Sequence, residues 1–567
     1  MVWNNCLQFV SNLREQVCES MPKDIADAAA LTSCRTHKNL PKIERNYAMH
    51  LAFSKEIRYN RCMKIRKYTA HRRTKKGNIM KRISVSALTA ALLLASALIS
   101  CGTTEPAKDN TQSTDVQSSD TTAAVTESTE PELKPDIPEK DFGGYEFHIL
   151  NGNMSEWMMI YTVDAEEETG DSLNDAIYRR NSAVEEQYNV SLVEINDTTA
   201  HTMAKKAVTA GDSLYDLLLT VKGNALDLVL QNYLIDYADI PYIDTTAPWW
   251  VQGSLTSMSI ANRVFYGISM FDTTHYDGVR TFYFNKELIE AFDLESPYEL
   301  VKAGKWTLDK LQEMGLAVAQ DIDGDGKWGE HDRYGYNTWS SVGGQTLMTG
   351  TGASLSVHKD ADDMPLYDMN SDFYIDRLTR VTEIVNTPGF YNTFAKSENN
   401  GGVEYFKAGR SLFYNECMGN AQKLRQMDID FGIIPGPKWD EAQENYANCG
   451  GNPYFMCVLT TNADLERTGI LMESMAYESL DTVKVAAYDE MLQGKVSRDN
   501  DSEAMLDIIN STLVYDHPIA ATYLNTQITD NYMFKGKDDY ASFFTKFESK
   551  INKEIQKYTD AYDAILD

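Results

Sequence analysis

Cysteine and histidine are scarce in this chain, at eight and nine among 567 residues. Cys6, Cys18, Cys34 and Cys62 lie in the first 79 residues without metal-type spacing, Cys101 stands alone, and only Cys417, Cys449 and Cys457 follow. Three cysteines cannot all pair internally, so a disulfide framework is excluded; Cys449 and Cys457 form either one bridge or two buried thiols. The histidines beyond residue 101 (His148, His201, His275, His331, His358 and His517) are scattered. No phosphate-cradling glycine loop, His-Glu-x-x-His, Cys-x-x-Cys or nucleophile elbow occurs. Basic charge is also short: from Cys101 onward 35 Lys and Arg face 77 Asp and Glu. Such a field repels DNA, RNA and anionic lipid, so no nucleic-acid partner is expected. An acidic composition does not exclude a carboxylate pair for glycoside hydrolysis, because the separation that matters is spatial.

Long uncharged runs are rare too, and one of them organises the rest. Met80-Lys81-Arg82 gives a short basic end, Ile83 to Ile99 carries no charge, and Leu98-Ile99-Ser100-Cys101 puts a small residue before a cysteine. This is the pattern of a secretory signal over 80–100. It resembles a bacterial lipoprotein signal, which implies cleavage before Cys101, lipidation of its thiol and an extracytoplasmic protein anchored to the cell membrane. The competing reading is a transmembrane helix, for which the run is short and diluted by serine and threonine. A signal belongs at an N-terminus. Residues 1–79, with 16 Lys and Arg against 6 Asp and Glu, therefore read as a spurious extension; a basic nucleic-acid-binding arm would show repeats or interleaved aromatics. Residues 101–140 are dominated by Thr, Ser, Glu, Asp and Pro. They bury too little to offset their ordering entropy and are expected to form a disordered, extended tether.

Beyond the tether the chain is long enough for two domains. Tyr145–Leu150, Val190–Ile195, Leu214–Val221, Val264–Met270, Arg280–Phe284 and Phe431–Ile434 read as strands. Leu173–Tyr188, Thr307–Gln320, Asp464–Met491, Ser502–Thr512 and Tyr540–Leu566 read as helices. Strands alternating with helices predict an α/β fold with a largely parallel sheet.

One loop carries metal-type spacing. Asp321, Asp323, Asp325 and Asp332 occupy positions 1, 3, 5 and 12 of a twelve-residue stretch with Gly326 at position 6. Oxygens so spaced converge on a hard cation, Lys327 supplying its carbonyl, and the glycine permits the bend. Asp332 stands where glutamate is usual, which weakens the expected site. The expectation is a structural Ca2+, against a plain acidic turn.

Five stretches then carry a family likeness: Tyr237-Ala238-Asp239-Ile240-Pro241-Tyr242-Ile243-Asp244 with Pro248-Trp249-Trp250; Phe284-Asn285-Lys286; Gly304-Lys305-Trp306-Thr307; Phe406-Lys407-Ala408-Gly409-Arg410; and Asp430 to Lys438. In this order they resemble the extracellular solute-binding proteins of sugar ABC importers, the group that contains maltose-binding protein. The resemblance covers Asp141 to Asp567. It implies a two-lobed periplasmic-binding-protein-like α/β fold with a hinge, one lobe from 141–275 plus 453–505 and the other from 276–449 plus 506–567. It also implies a monomer that captures a carbohydrate and delivers it to an ABC permease, with no catalytic step of its own. The loops it brings to the cleft offer Trp157, Asp277, Asn337, Trp339, Tyr414, Glu416 and Tyr454 as ligand-binding residues, in the mixture of flat rings and fixed polar groups that sugars require. For each ring, core packing competes with ligand contact, and the Trp249-Trp250 pair reads as packing. The alternatives are a surface glycosidase or lyase, and a calcium-dependent adhesion or scaffold protein.

Overall fold

A computed structural model describes residues 134–152, 163–353, 358–366, 369–390, 401–424, 429–492, 500–518 and 527–566. The extension 1–79, the signal 80–100, Cys101, most of the tether and Trp157 lie outside the described residues. The tether's last stretch, 134–140, is held rather than loose: Ile137 packs on the first-lobe core, and Lys140 Nζ donates to Glu466 at 2.6 Å.

Two sheets form the body. The first contains β1 (Tyr145–Asn151), β2 (Val190–Asn196), β3 (Leu217–Val221), β4 (Tyr266–Gly267) and β12 (Tyr454–Cys457), in the order β2-β1-β3-β12-β4. β1 pairs in parallel with both β2 and β3, whereas β12 runs antiparallel to β3 and to β4. The second contains β5 (Arg280–Asn285), β6 (Tyr334–Thr338), β9 (Ser411–Cys417) and β10 (Phe431–Ile434), in the order β10-β5-β9-β6. Only its β6–β9 pair is parallel. The expectation of a largely parallel arrangement therefore holds for β1–β3 and for the β6–β9 pair, and fails elsewhere in the two sheets. β5 and β12 each enter a lobe from the crossing segments, at the end where the parallel strands finish, and so must run against them.

Local chemistry sets the elements. The helix Ser172–Tyr188 is capped by the Asp171 carboxylate, which accepts from Asn174 N, and ends at Asn189 with φ 49°. Asparagine tolerates that left-handed conformation better than most residues. Val264–Met270 contributes a strand only at Tyr266–Gly267. Asp464–Met491 divides into helices Leu465–Glu478 and Val483–Leu492. Trp249 and Trp250 are buried in the first lobe, their indole N–H groups both donating to the buried Glu473.

Segments 268–279 and 435–453 cross between the sheets; the link between helices Val483–Leu492 and Asn500–Ser511 lies outside the described residues. Beside these crossings β11 (Asn448–Cys449) pairs in parallel with β13 (Leu513–Val514). Residues 500–505, assigned by order to the first lobe, pack on the second instead: Tyr298 bonds Ser502 at 3.0 Å, and Lys302 pairs with Asp501. The closing helix Tyr540–Leu566 starts in the second-lobe core with Tyr540, Phe543, Phe544 and Ile551. Its end, at Tyr558, Tyr562 and Ile565, joins a cluster that unites Leu218 and Phe455 of the first sheet with Tyr283, Tyr414 and Phe431 of the second.

Candidate functional site

The two crossings meet where side chains are absent. Gly451 has φ 71°, and a Cβ there would stand 2.1 Å from the carbonyl oxygen of Gly278. Only glycine meets both demands. Around this contact polar side chains of both lobes are buried. Asp272 accepts from the backbone N–H and hydroxyl of Thr274, each at 2.9 Å, and Thr274 Oγ1 in turn accepts from Tyr454 N at 2.8 Å, tying the first crossing to the second. His275 Nδ1 lies 2.6 Å from Asp272 O. Burial raises the Asp272 carboxyl to about 7 and lowers His275 to about 4, because each charged form loses its hydration.

Two cations reach the same place. Lys222, the residue after β3, donates to Gly451 O at 3.3 Å; burial lowers its pKa, and Asp516 opposes that shift. Arg280, the first residue of β5, meets Glu416 at 3.4 Å and contacts Cys417 Sγ, while its buried Nε has no hydrogen-bond partner within the protein. The Glu416 carboxylate also accepts from Cys417 N at 3.0 Å. Asp277 sits against Gly419, where a Cβ would fall 2.6 Å from its Oδ1. Behind them Arg180, fully buried, donates to Val163 O at 2.7 Å and Phe271 O at 3.2 Å and lies over the Phe271 ring. It ties Val163 to Phe271 of the first crossing. Burial lowers its pKa to about 9.

The sequence candidates separate into two groups. Asp277 and Glu416 belong to this cluster, and half-buried Trp339 follows β6 at the N-terminus of the helix Ser340–Gly350. Asn337, at the end of β6, donates to Gly402 O at 2.8 Å and keeps a buried Oδ1 that accepts nothing. Tyr414 and Tyr454 are core residues. Tyr414 stacks against Tyr283 and Phe406 at centroid distances of 5.8 and 5.6 Å, and Tyr454 is buried in the first-lobe core. Arg280, Asp516 and His517, the last buried within electrostatic reach of Lys222, were missed. An arginine opening the otherwise apolar run Arg280–Phe284 was the available signal; for Asp516 and His517 there was none. Cys417, Cys449 and Cys457 are free thiols, so the Cys449–Cys457 alternative resolves to unbridged side chains.

In the acidic loop, carboxylate oxygens of Asp321, Asp323 and Asp325 lie within 4.8 Å of one another. Asp321 accepts from Gly324 N at 2.7 Å and Gly326 N at 2.9 Å, and both glycines have positive φ. Asp332 is buried and accepts from Ile322 N at 2.9 Å and Gly329 N at 2.6 Å. An all-oxygen donor set of this kind fits a hard cation. Among the described residues no helix is long and apolar enough to cross a membrane.

The sequence matches no protein-family model and no curated protein. The structure does match solved ones. The sugar-binding protein MalE from the phytopathogen Xanthomonas citri aligns with a TM-score of 0.51 at 11% identity, over 74% of this chain and 99% of that one. A cyclo/maltodextrin-binding protein complexed with maltotetraose gives 0.49 at 13% identity, over 76% and 98%. UgpB from Mycobacterium tuberculosis in complex with glycerophosphocholine gives 0.46 at 15% identity, over 74% and 99%. On the first of these likenesses, the chain has the two-lobed α/β fold of binding proteins of this kind.

Proposed function

We propose that this chain is the substrate-binding component of an ABC importer, capturing a carbohydrate between its lobes and presenting it to a permease. The observation that carries the reading is the convergence of Lys222, Asp272, Arg280 and Glu416 from both lobes on the crossing segments, with donor capacity left on Arg280. Fixed donors and acceptors of both kinds suit sugar hydroxyls, and Trp339 offers a ring for the apolar face of a pyranose. Closure of two lobes about a few crossing residues would trap such a solute. No bond is made or broken in this role. Cys101 would carry the lipid that holds the protein at the outer face of the cell membrane, and the protein would act as a monomer. Asp321, Asp323 and Asp325, with Asp332 and the Lys327 carbonyl, would hold a Ca2+ that stiffens the loop between helix Leu308–Val318 and β6.

A thermal-shift and calorimetric screen of the purified protein against mono- and oligosaccharides tests the reading. Saturable stabilisation by at least one sugar, with no turnover, is expected. Stabilisation by none across a broad panel would overturn the carbohydrate assignment, and hydrolysis of a panel member would favour the surface-enzyme alternative.

A further inference from the structure

A hairpin of the second lobe grips the first lobe, and buried His517 lies within electrostatic reach both of its Lys359 and of Lys222 in the polar cluster. β7 (His358–Lys359) and β8 (Pro365–Leu366) form its two short strands, in the chain between Ala353 and Met369 of the second-lobe core. The His358 ring meets Phe373 of that lobe's helix Asp372–Val385 edge-on at 6.2 Å. Across the gap stands the first-lobe helix Gln252–Met258, whose last turn leaves carbonyl oxygens without helical partners. Lys359 Nζ fills that position. Its three N–H groups are shared among four oxygens: Thr256 O at 2.6 Å, Ser259 O at 2.5 Å, Ser259 Oγ at 2.7 Å and Asp363 Oδ1 at 2.9 Å.

Asp363 continues the grip. Its Oδ2 accepts from Asn262 N at 3.0 Å, and its carbonyl accepts from Ala261 N at 3.3 Å. Ala261, Asn262 and Asp363 all take positive φ, at 50°, 60° and 63°. Non-glycine residues adopt that conformation at a cost, and three of them adopt it where the lobes touch. Beneath the hairpin lies a cavity of about 320 Å3, whose lining includes Thr256 and Ser257 of the first lobe, Thr349 and Lys359 of the second, and Leu513 and Tyr515 beside the crossing.

We propose that Lys359 is an interlobe clasp: a helix-capping ammonium, carried by one lobe and seated on the other, that selects the relative orientation of the two lobes. A cation at a helix C-terminus gains from the helix dipole and from charge-assisted hydrogen bonds. This cation makes those bonds only while the lobes keep their present relation, so its free energy enters the equilibrium between orientations directly. The purpose of such a device rests on the capture reading, but its existence does not.

The test therefore uses the ligand-free full chain. Interlobe distance is followed by spin-label pair spectroscopy between exposed Thr209 of the first lobe and Ala317 of the second, each replaced by cysteine, with small-angle scattering on the unlabelled protein. Lys359→Met is expected to change the ratio of orientations by about tenfold or more, the effect of losing bonds to a charged donor; Lys359→Arg should retain most of the parent distribution. Lys205→Met removes a cation paired only within the first lobe, to Asp227, and should leave the distribution unchanged. Unchanged distances and scattering in folded Lys359→Met would overturn the clasp, as would an equal change in Lys205→Met. If Lys359→Met fails to fold, Asp363→Asn takes its place: it weakens the hold on the ammonium, keeps the backbone bond, and should shift the distribution in the same direction.

Discussion

The guanidinium of Arg280 lies 3.4 Å from the carboxylate of Glu416, across the antiparallel pair β5–β9, with both residues more than nine-tenths buried. It places opposite charges at the floor of the space between the lobes, where water is scarce and each depends on the other.

Glu416→Gln should therefore destabilise the protein by about 3 kcal/mol, because it strands a buried guanidinium. Arg280→Met combined with Glu416→Gln should cost less than the two single changes added together. Chemical denaturation of the three variants gives the coupling; strictly additive losses would show that the pair does not act as one.

Gly451→Ala should lose about 2 kcal/mol or more, since the added methyl meets Gly278 O and the residue is held at φ 71°. A melting temperature equal to that of the parent would mean that the two crossings are free to separate.

Asp272 and His275 push the pH dependence in opposite directions. The raised Asp272 pKa means that the native state holds a proton the unfolded state releases between 3.8 and about 7, so this residue subtracts stability as pH rises through that window. The lowered His275 means that the unfolded state takes up a proton between 6.5 and about 4, so His275 adds stability as pH rises there. His517, lowered to about 3, acts in the same sense as His275. Asp272→Asn should accordingly make the melting midpoint climb more steeply from pH 4 to 6.5. A parallel pair of curves would contradict the assignment.

Trp339 is half-buried, at the N-terminus of the helix Ser340–Gly350. Its replacement by alanine should weaken binding of whichever sugar stabilises the parent by about tenfold, with a small change in the ligand-free melting temperature. Tyr414→Phe, in the core, should leave affinity unchanged.

Calcium should raise the melting temperature of the parent, and a chelator should lower it again; Asp321→Asn should abolish both effects. Insensitivity of the parent to calcium would reduce the loop to an acidic turn.

The sequence revealed elements better than neighbours. The periodicity of Leu173–Tyr188 and the apolar run Phe431–Ile434 are local properties, and both reappear nearly unchanged. Ligand candidacy is not local. Tyr414 and Glu416 are two residues apart on β9, yet the first stacks among aromatic rings and the second pairs with Arg280 at the lobe boundary. Nothing in the composition of the strand distinguishes a ring committed to packing from one left available. Asp516 and His517 follow a two-residue strand whose partner, Asn448–Cys449, is distant in sequence, and only the folded crossing reveals their surroundings.

The strand order β2-β1-β3-β12-β4 also imposes a timetable on synthesis. β4 pairs within its sheet through β12, and β12 is not made until every strand of the second sheet has been synthesised. Throughout that interval the emerging first lobe carries an open edge on β3, liable to pair with a neighbouring chain. Under the proposed role, in which the chain is exported, that delay is an advantage: a sheet still short of β12 keeps the chain threadable until it has crossed the membrane.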